Sequence, residues 1–202
     1  DGSADAELGA RAWAGLSEFF THRTGARIQD LGVVALTPGG LEGVDLLHIT
    51  GRGRFTLDAA ERAALVGFVE GGGTLLVDAW GGSAGFAQVA RAELTQVFGP
   101  LEALERQDPV ATGDFEGGTD LSRDIRYTLP GRRLLQTVGR AMPVRGQSLW
   151  TQQVHGRAAV FFSDLDLSAA LAGVGIPGGA GYRPDSARRI VTNLAAWLVR
   201  ET

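Results

Sequence analysis

Two short runs, Val44 to Thr50 and Thr74 to Asp78, are apolar almost without interruption, and the helical stretch between them is brought to an end by Gly71, Gly72 and Gly73. A strand with one wet face alternates apolar and polar residues, whereas a continuous apolar strand is covered on both faces, as in parallel strands joined by crossover helices. This one unit restricts the chain to the α/β class with a mostly parallel sheet, and its neighbours repeat the pattern. A first helix is read from about Asp5, with Leu8, Ala12, Leu16, Phe19 and Phe20 on one face and Gly25 as its stop. After a short extended piece, Ala26 to Gln29, and the first strand, Thr56 is read as the cap of the second helix. Asp58 and Glu61 lie in that helix's first turn, and Ala64, Leu65, Phe68 and Val69 form its inner face. A third helix carries Phe86, Ala90, Leu94 and Val97 until Gly99-Pro100.

Periodicity weakens over 101–147, which we read as a mostly irregular excursion with only Ile125 to Leu129 extended. Ser148 to Gln153, a tight turn at His155-Gly156 and Arg157 to Phe162 predict a late β-hairpin. A glycine-rich loop follows between Ala172 and Gly181, either a lid or a plain connection. The last helix begins after Pro184-Asp185 and turns Ala187, Ile190, Val191, Leu194, Trp197 and Leu198 inward. With no internal repeat and no linker, residues 1–202 read as one domain.

Composition removes whole classes of chemistry. There is no cysteine, so thiolate nucleophiles, disulfides, zinc ribbons and iron-sulfur ligation are excluded. All 19 basic residues are arginine, which excludes a phosphate-loop lysine, a Schiff-base lysine and a Ser-Lys dyad. A net charge of -4 gives no basic footprint for nucleic acid. No apolar run approaches the roughly 20 residues of a membrane span, so no span is expected in this chain. The chain opens at Asp1 rather than at a methionine, from which we expect a leader, an anchor or another domain upstream.

In an open parallel sheet, ligands bind at the carboxyl ends of the strands. That rule selects three polar segments: Gly51, Arg52 and Gly53; Asp78, Trp80, Gly82 and Ser83; and Ser163 and Asp164. Tyr182 on the later loop joins them as a candidate. The amides of Ser83 to Phe86 open a helix and Arg52 adds positive charge, a combination suited to a small polar or anionic ligand. The plainer alternative is that Asp78 and Ser83 cap the helix and that Arg52 and Arg54 are solvated. Gly81-Gly82-Ser83-Ala84-Gly85 also matches the nucleophile elbow of serine hydrolases, which needs a histidine base. His155 sits at the start of the strand whose far end is Ser163, so at about 3.3 Å per residue it lies roughly 20 Å from the crevice edge. His22 ends a helix, and His48 within a buried strand reads as a satisfied core residue. Gly51-Arg52-Gly53 with Asp78 suggests dinucleotide binding, but Thr56 stands where the third glycine belongs. Asp78, Asp164 and Asp166 suggest a hard cation, although three acids on loops are a weak signal for one.

Taken in order, Leu47-His48-Ile49-Thr50-Gly51-Arg52-Gly53, Leu75-Leu76-Val77-Asp78, Gly82-Ser83-Ala84-Gly85-Phe86 and Arg91-Ala92-Glu93-Leu94 resemble a bacterial domain of unknown function numbered 4159. Gly156 to Val160, Ser163-Asp164-Leu165-Asp166-Leu167 and Gly181-Tyr182-Arg183-Pro184-Asp185-Ser186-Ala187 are similar to its closing block, so the likeness spans nearly the whole chain. The resemblance implies a three-layer α/β/α, flavodoxin-like fold of the class I glutamine amidotransferase-like and ThuA-like type, in exported or membrane-tethered proteins. It implies a periplasmic or extracytoplasmic location and no particular activity. Two departures stand out: the short strand that usually opens the family is absent or cut away, and His48 replaces a usual aromatic. Amidotransferases place a cysteine after the central strand and a histidine after a later one, and this chain has neither, so it is not expected to be a glutaminase. The reading reached is a non-catalytic domain without cofactor or metal, binding a small ligand or a protein at the carboxyl edge of its sheet. A hydrolase using Ser83, Asp164 or a bound divalent cation is the alternative.

Overall fold

The computed structural model describes residues 2–123, 125–137 and 148–201, and of residues 2–8 and 199–201 only the backbone. The chain forms α1 (Gly2–Thr24), β1 (Leu46–Gly51), α2 (Ala59–Glu70), β2 (Thr74–Ala79), α3 (Ala84–Phe98) and β3 (Glu102–Ala103). These are followed by α4 (Pro109–Thr112), α5 (Leu129–Thr137), β4 (Trp150–Val154), β5 (Arg157–Ser163), α6 (Ser168–Leu171) and α7 (Pro184–Glu201). The strands make one sheet in the order β1-β2-β5-β4-β3. No helix among the described residues is long and apolar enough to cross a membrane.

The sheet is mixed, which corrects the expectation of a mostly parallel one. β1 pairs parallel to β2 and β2 parallel to β5, but β5 to β4 and β4 to β3 are antiparallel. The reason is local: β4 and β5 are joined through His155 and Gly156, and a turn that short can only reverse the chain. β3, only two residues long, then continues the antiparallel half from within the region read as irregular. That region also contains α4 and α5, and Leu129, expected to end an extended piece, begins α5 instead. Residues 138–147 of the expected excursion lie outside the described residues.

β2 is buried at all six positions and β5 at its last five, so both are covered on both sides, whereas β1, at the edge of the sheet, is buried at Leu47 and Gly51 and half-buried elsewhere. Leu75, Val77 and Ala79 point to one face, where with Leu47, Val160 and Phe162 they meet Leu65 and Val69 of α2 and Phe86, Ala90 and Leu94 of α3. Leu76 and Phe161 point to the other, against Ala12 and Leu16 of α1, Leu171 of α6 and Ile190, Val191 and Leu194 of α7. Burying each such side chain contributes on the order of 1.5–3 kcal/mol, so the two faces together dominate the stability of the fold. The side chain of Leu8, assigned to the inner face of α1, lies outside the described residues.

The cap of α2 is Asp58 rather than Thr56. Asp58 accepts from the Glu61 amide at 2.8 Å while the Glu61 carboxylate takes the Asp58 amide at 2.8 Å. This reciprocal box satisfies two otherwise orphaned donors, which a lone threonine two residues earlier cannot do. Arg62 on α2 then makes a two-pronged contact, 2.9 and 3.0 Å, with Glu93 on α3 and ties that helical layer together.

Candidate functional site

Because β1, β2 and β5 run parallel, their carboxyl ends, Gly51, Ala79 and Ser163, share one edge of the sheet. The β4–β5 turn, with His155 in the left-handed region (φ 53°), is at the other end, across the length of β5 from the segment that carries Ser83. His155 is therefore no base for Ser83. The Ser83 hydroxyl donates to the Arg52 carbonyl at 2.6 Å and accepts from the Phe86 amide at 3.4 Å, so it caps α3 and fastens the end of β1 to the start of that helix.

The turn between β2 and α3, Trp80–Gly82, is a single 3-10 turn that brings Arg52 and Trp80 together. The guanidinium carbon of Arg52 lies 3.6 Å above the Trp80 ring, a cation–π stack that fixes the plane of an exposed cation. Trp80 itself is 5% exposed and packs on Ala169 and the partly buried Ala172 and Ile176. Gly82 has to be glycine: its φ is 71°, and a Cβ there would lie 2.5 Å from the Ala180 carbonyl oxygen. That close approach goes with a hydrogen bond from the Ala180 amide to the Gly81 carbonyl, 2.9 Å, so the distal part of the glycine-rich loop is bound to the edge and does not hang free. Gly51 ends β1 hard against the Phe86 ring, which its missing side chain makes room for, and Gly53 is exposed beside Arg52.

Below this rim, on the α1, α6 and α7 face, lies a polar cluster that the sequence reading did not assemble. Asp78, 0% exposed, accepts four hydrogen bonds. One oxygen takes the His48 ring nitrogen Nε2 at 2.7 Å and the Ser168 hydroxyl at 2.8 Å; the other takes the Leu167 and Ser168 amides at 2.7 and 3.0 Å. Parallel register sets Asp78 opposite Thr50, so His48, two residues back, shares its face. The imidazole is closed over by Trp13 of α1, edge-on at 5.7 Å between ring centroids. Burial alone would raise the Asp78 carboxyl. The hydrogen bond and charge of His48, with the bonds from Leu167 and Ser168, outweigh that and hold it below the ordinary carboxylate range.

Asp166 is the counterpart with the opposite shift. It is 5% exposed, accepts from the Ala169 amide at 2.9 Å, and is pushed up to about 7 by burial and by the charge of Asp78. His48, Asp78 and Ser168 are the residue types of a hydrolytic triad, but not its wiring. The same imidazole nitrogen faces both partners, at 2.7 Å to Asp78 and 3.4 Å to Ser168, and the Ser168 hydroxyl, fully buried, donates to the carboxylate. A nucleophile so placed has no base of its own and no access to a substrate.

The remaining sequence candidates lie in separate environments. Ser163 is buried and bonds within its own turn, donating to the Leu165 carbonyl and accepting from its amide. Asp164 is engaged by Arg91 of α3 at 3.1 and 3.3 Å and by the Trp150 indole at 3.2 Å. Tyr182 is a core residue, 1% exposed, whose hydroxyl accepts from the Ser148 amide at 3.2 Å. Asp78, Ser83 and Asp164 thus do not converge, and no group of three or more acidic or histidine side chains among the described residues could hold a metal ion. His48 and Ser168 are what sequence reasoning missed as partners. The available signals were the single histidine in an apolar strand and the serine that follows Asp166-Leu167 at the start of a helix.

Two comparisons bear on what kind of protein has this architecture. No curated protein matches the sequence. The family described as Domain of unknown function (DUF4159) matches over residues 1–199, that is, nearly end to end and across every element of the sheet. The chain belongs to that family.

Proposed function

We propose that the domain is a non-catalytic receptor for a small anionic ligand, which docks on the carboxyl edge of the sheet with Arg52 as its charge anchor. The observation that carries this reading is the state of the Arg52 side chain. It is exposed, its plane is set by Trp80, and among the described residues it makes no hydrogen bond or ion pair. A guanidinium held flat with its N–H fork free is already organised for a carboxylate or phosphate, and little side-chain entropy remains to be lost on binding. The capping role of Ser83 and the remoteness of His155 favour binding over acyl transfer, and nothing favours the hydrolase alternative. We further infer that the fold is a variant of the three-layer flavodoxin-like, class I glutamine amidotransferase-like and ThuA-like architecture. Helices on both faces of the parallel β1-β2-β5 core support this. An extracytoplasmic location is part of the same proposal and rests on the family resemblance.

The test is a thermal-shift and calorimetric series with inorganic phosphate, citrate and galacturonate against uncharged galactose. Ligand at a hundredfold excess over its Kd stabilises by about 2.7 kcal/mol, which for a domain of this size is roughly 5–10 °C. Such a gain with one of the anions, lost in Arg52→Ala and absent with galactose, is the expected result. Equal shifts in wild type and Arg52→Ala, or none with any anion, would overturn the proposal.

A further inference from the structure

A second site lies away from the sheet edge, where the end of α1, the loop after α4 and the α7 helix meet. Phe20 of α1 is buried against Ala195 and Ala196 of α7, with Ala26 and Phe115 packed on the same cluster. Phe20, Ala26, Phe115 and Ala196 line a cavity of about 320 Å³, with Thr24 beside them and the carboxylates of Asp114 and Glu116 at its mouth. This volume is at the lower end of the range for small-molecule pockets, roughly 300–1,000 Å³.

The loop that supplies the acids and Phe115 is held from two sides. Arg23, in the last turn of α1, donates to the Gly117 carbonyl at 3.3 Å, the Gly118 carbonyl at 3.1 Å and the Thr119 hydroxyl at 3.0 Å. Asn193 of α7, fully buried, takes the Thr119 amide at 3.0 Å and donates to the Thr119 and Val110 carbonyls at 2.8 and 2.7 Å. Gly117, at φ 78°, comes so close to Thr24 that a Cβ would collide with the threonine side chain. The loop is therefore a fixed wall. The bonds that fix it direct the Arg23 guanidinium to carbonyl and hydroxyl oxygens. Asp114 and Glu116 make no hydrogen bond or ion pair among the described residues.

We infer that this cavity is a binding site for a small organic cation with an apolar body, such as an aryl-alkyl ammonium. Phe115, half-buried, supplies the aromatic surface on which an ammonium group and its carbon skeleton are stabilised, Phe20, 1% exposed, backs the lining, and the exposed Asp114 and Glu116 supply the balancing charge. An anion would meet the two carboxylates that line the cavity, and a neutral body would forgo both electrostatic contributions. The site is the charge opposite of the Arg52 rim, so the two readings stand or fall separately.

The test titrates benzyltrimethylammonium chloride into the full chain and follows the methyl resonances of Ala26 and Ala196, with benzyl alcohol and benzenesulfonate as neutral and anionic controls. Asp114→Asn/Glu116→Gln changes only exposed side chains and leaves the fold intact, which the unfolding midpoint verifies. We expect saturable shifts with the ammonium ion, binding roughly tenfold weaker in the double variant and weaker still at 1 M salt, since both carboxylates face solvent. No saturable shift, equal affinity for benzyl alcohol, or an unchanged affinity in the double variant would each overturn the inference.

Discussion

Replacing Asp78 tests a buried side chain that accepts four hydrogen bonds, and its two obvious substitutions separate the acceptor from the charge. In Asp78→Ala the Leu167 and Ser168 amides lose their acceptor in a site without exposure, while the Ser168 hydroxyl and His48, 3.4 Å apart, are left to pair with each other. Each stranded donor costs about 1–3 kcal/mol, so for the two amides the expected loss is about 2–6 kcal/mol, or roughly 4–24 °C in Tm for a domain of this size. Asp78→Asn keeps an oxygen for the two amides and turns its NH2 toward the Ser168 hydroxyl, which can accept, and toward His48, whose Nε2 accepts in the tautomer that leaves it unprotonated. It forfeits only charge assistance, roughly 1 kcal/mol on each of the two amide bonds, so about 2 kcal/mol in all. The two variants differ in acid as well. The Asp78 carboxyl is lower in the folded chain than in the unfolded one, so the unfolded state binds the extra proton. The stability it supplies is complete above about pH 4 and is lost as pH falls through the folded value; Asp78→Asn should lack that acid limb. Urea unfolding followed by tryptophan fluorescence at pH 7 and between pH 2 and 5 measures all three quantities, Trp13 over the imidazole being one of the four tryptophans that report. A loss in Asp78→Ala below about 1 kcal/mol, or an Asn variant as unstable as the Ala one, would refute the assignment of the cluster as a joint between β1, β2 and α6.

Asp166 predicts the reverse pH dependence, because its folded-state carboxyl is raised to about 7 and the folded state therefore holds the extra proton. Its contribution is complete below the unfolded value, near 4, and is lost as pH rises to about 7. Wild type should decline over that window by a margin on the order of a few kcal/mol that Asp166→Asn does not show, and parallel curves for the two would contradict it. Ser83→Ala removes a helix cap and a bond to the Arg52 carbonyl. It should lower stability by about 0.5–2 kcal/mol in urea unfolding, and a serine-directed fluorophosphonate should leave wild type unlabelled at Ser83; covalent labelling there would revive the hydrolase.

The parallel half of the sheet was legible because its signal is one-dimensional. Continuous apolar strands, glycine stops and 3.6-residue spacing are properties of consecutive residues, and they put Leu75, Leu76 and Val77 in the core without any knowledge of what covers them. The same holds for the chemistry that composition excludes. What consecutive residues do not carry is the identity of neighbours brought from far along the chain. β3 has two residues, too few for a period, and its partner strand lies beyond the excursion, so the β3–β4 pairing came from the structure alone, whereas the β4–β5 hairpin was read from its turn. Arg52 meets Trp80 because the turn after β2 folds back over the end of β1, and Ser168 meets Asp78 across a separation of 90 positions because α6 lands beside β2. Asp78 could be picked out as a residue at a strand end; whether it faced a rim ligand or a buried imidazole depended on which side of the sheet its side chain took. Strand parity links that side to His48, but only three-dimensional packing decided that helices α1 and α6 would close over both.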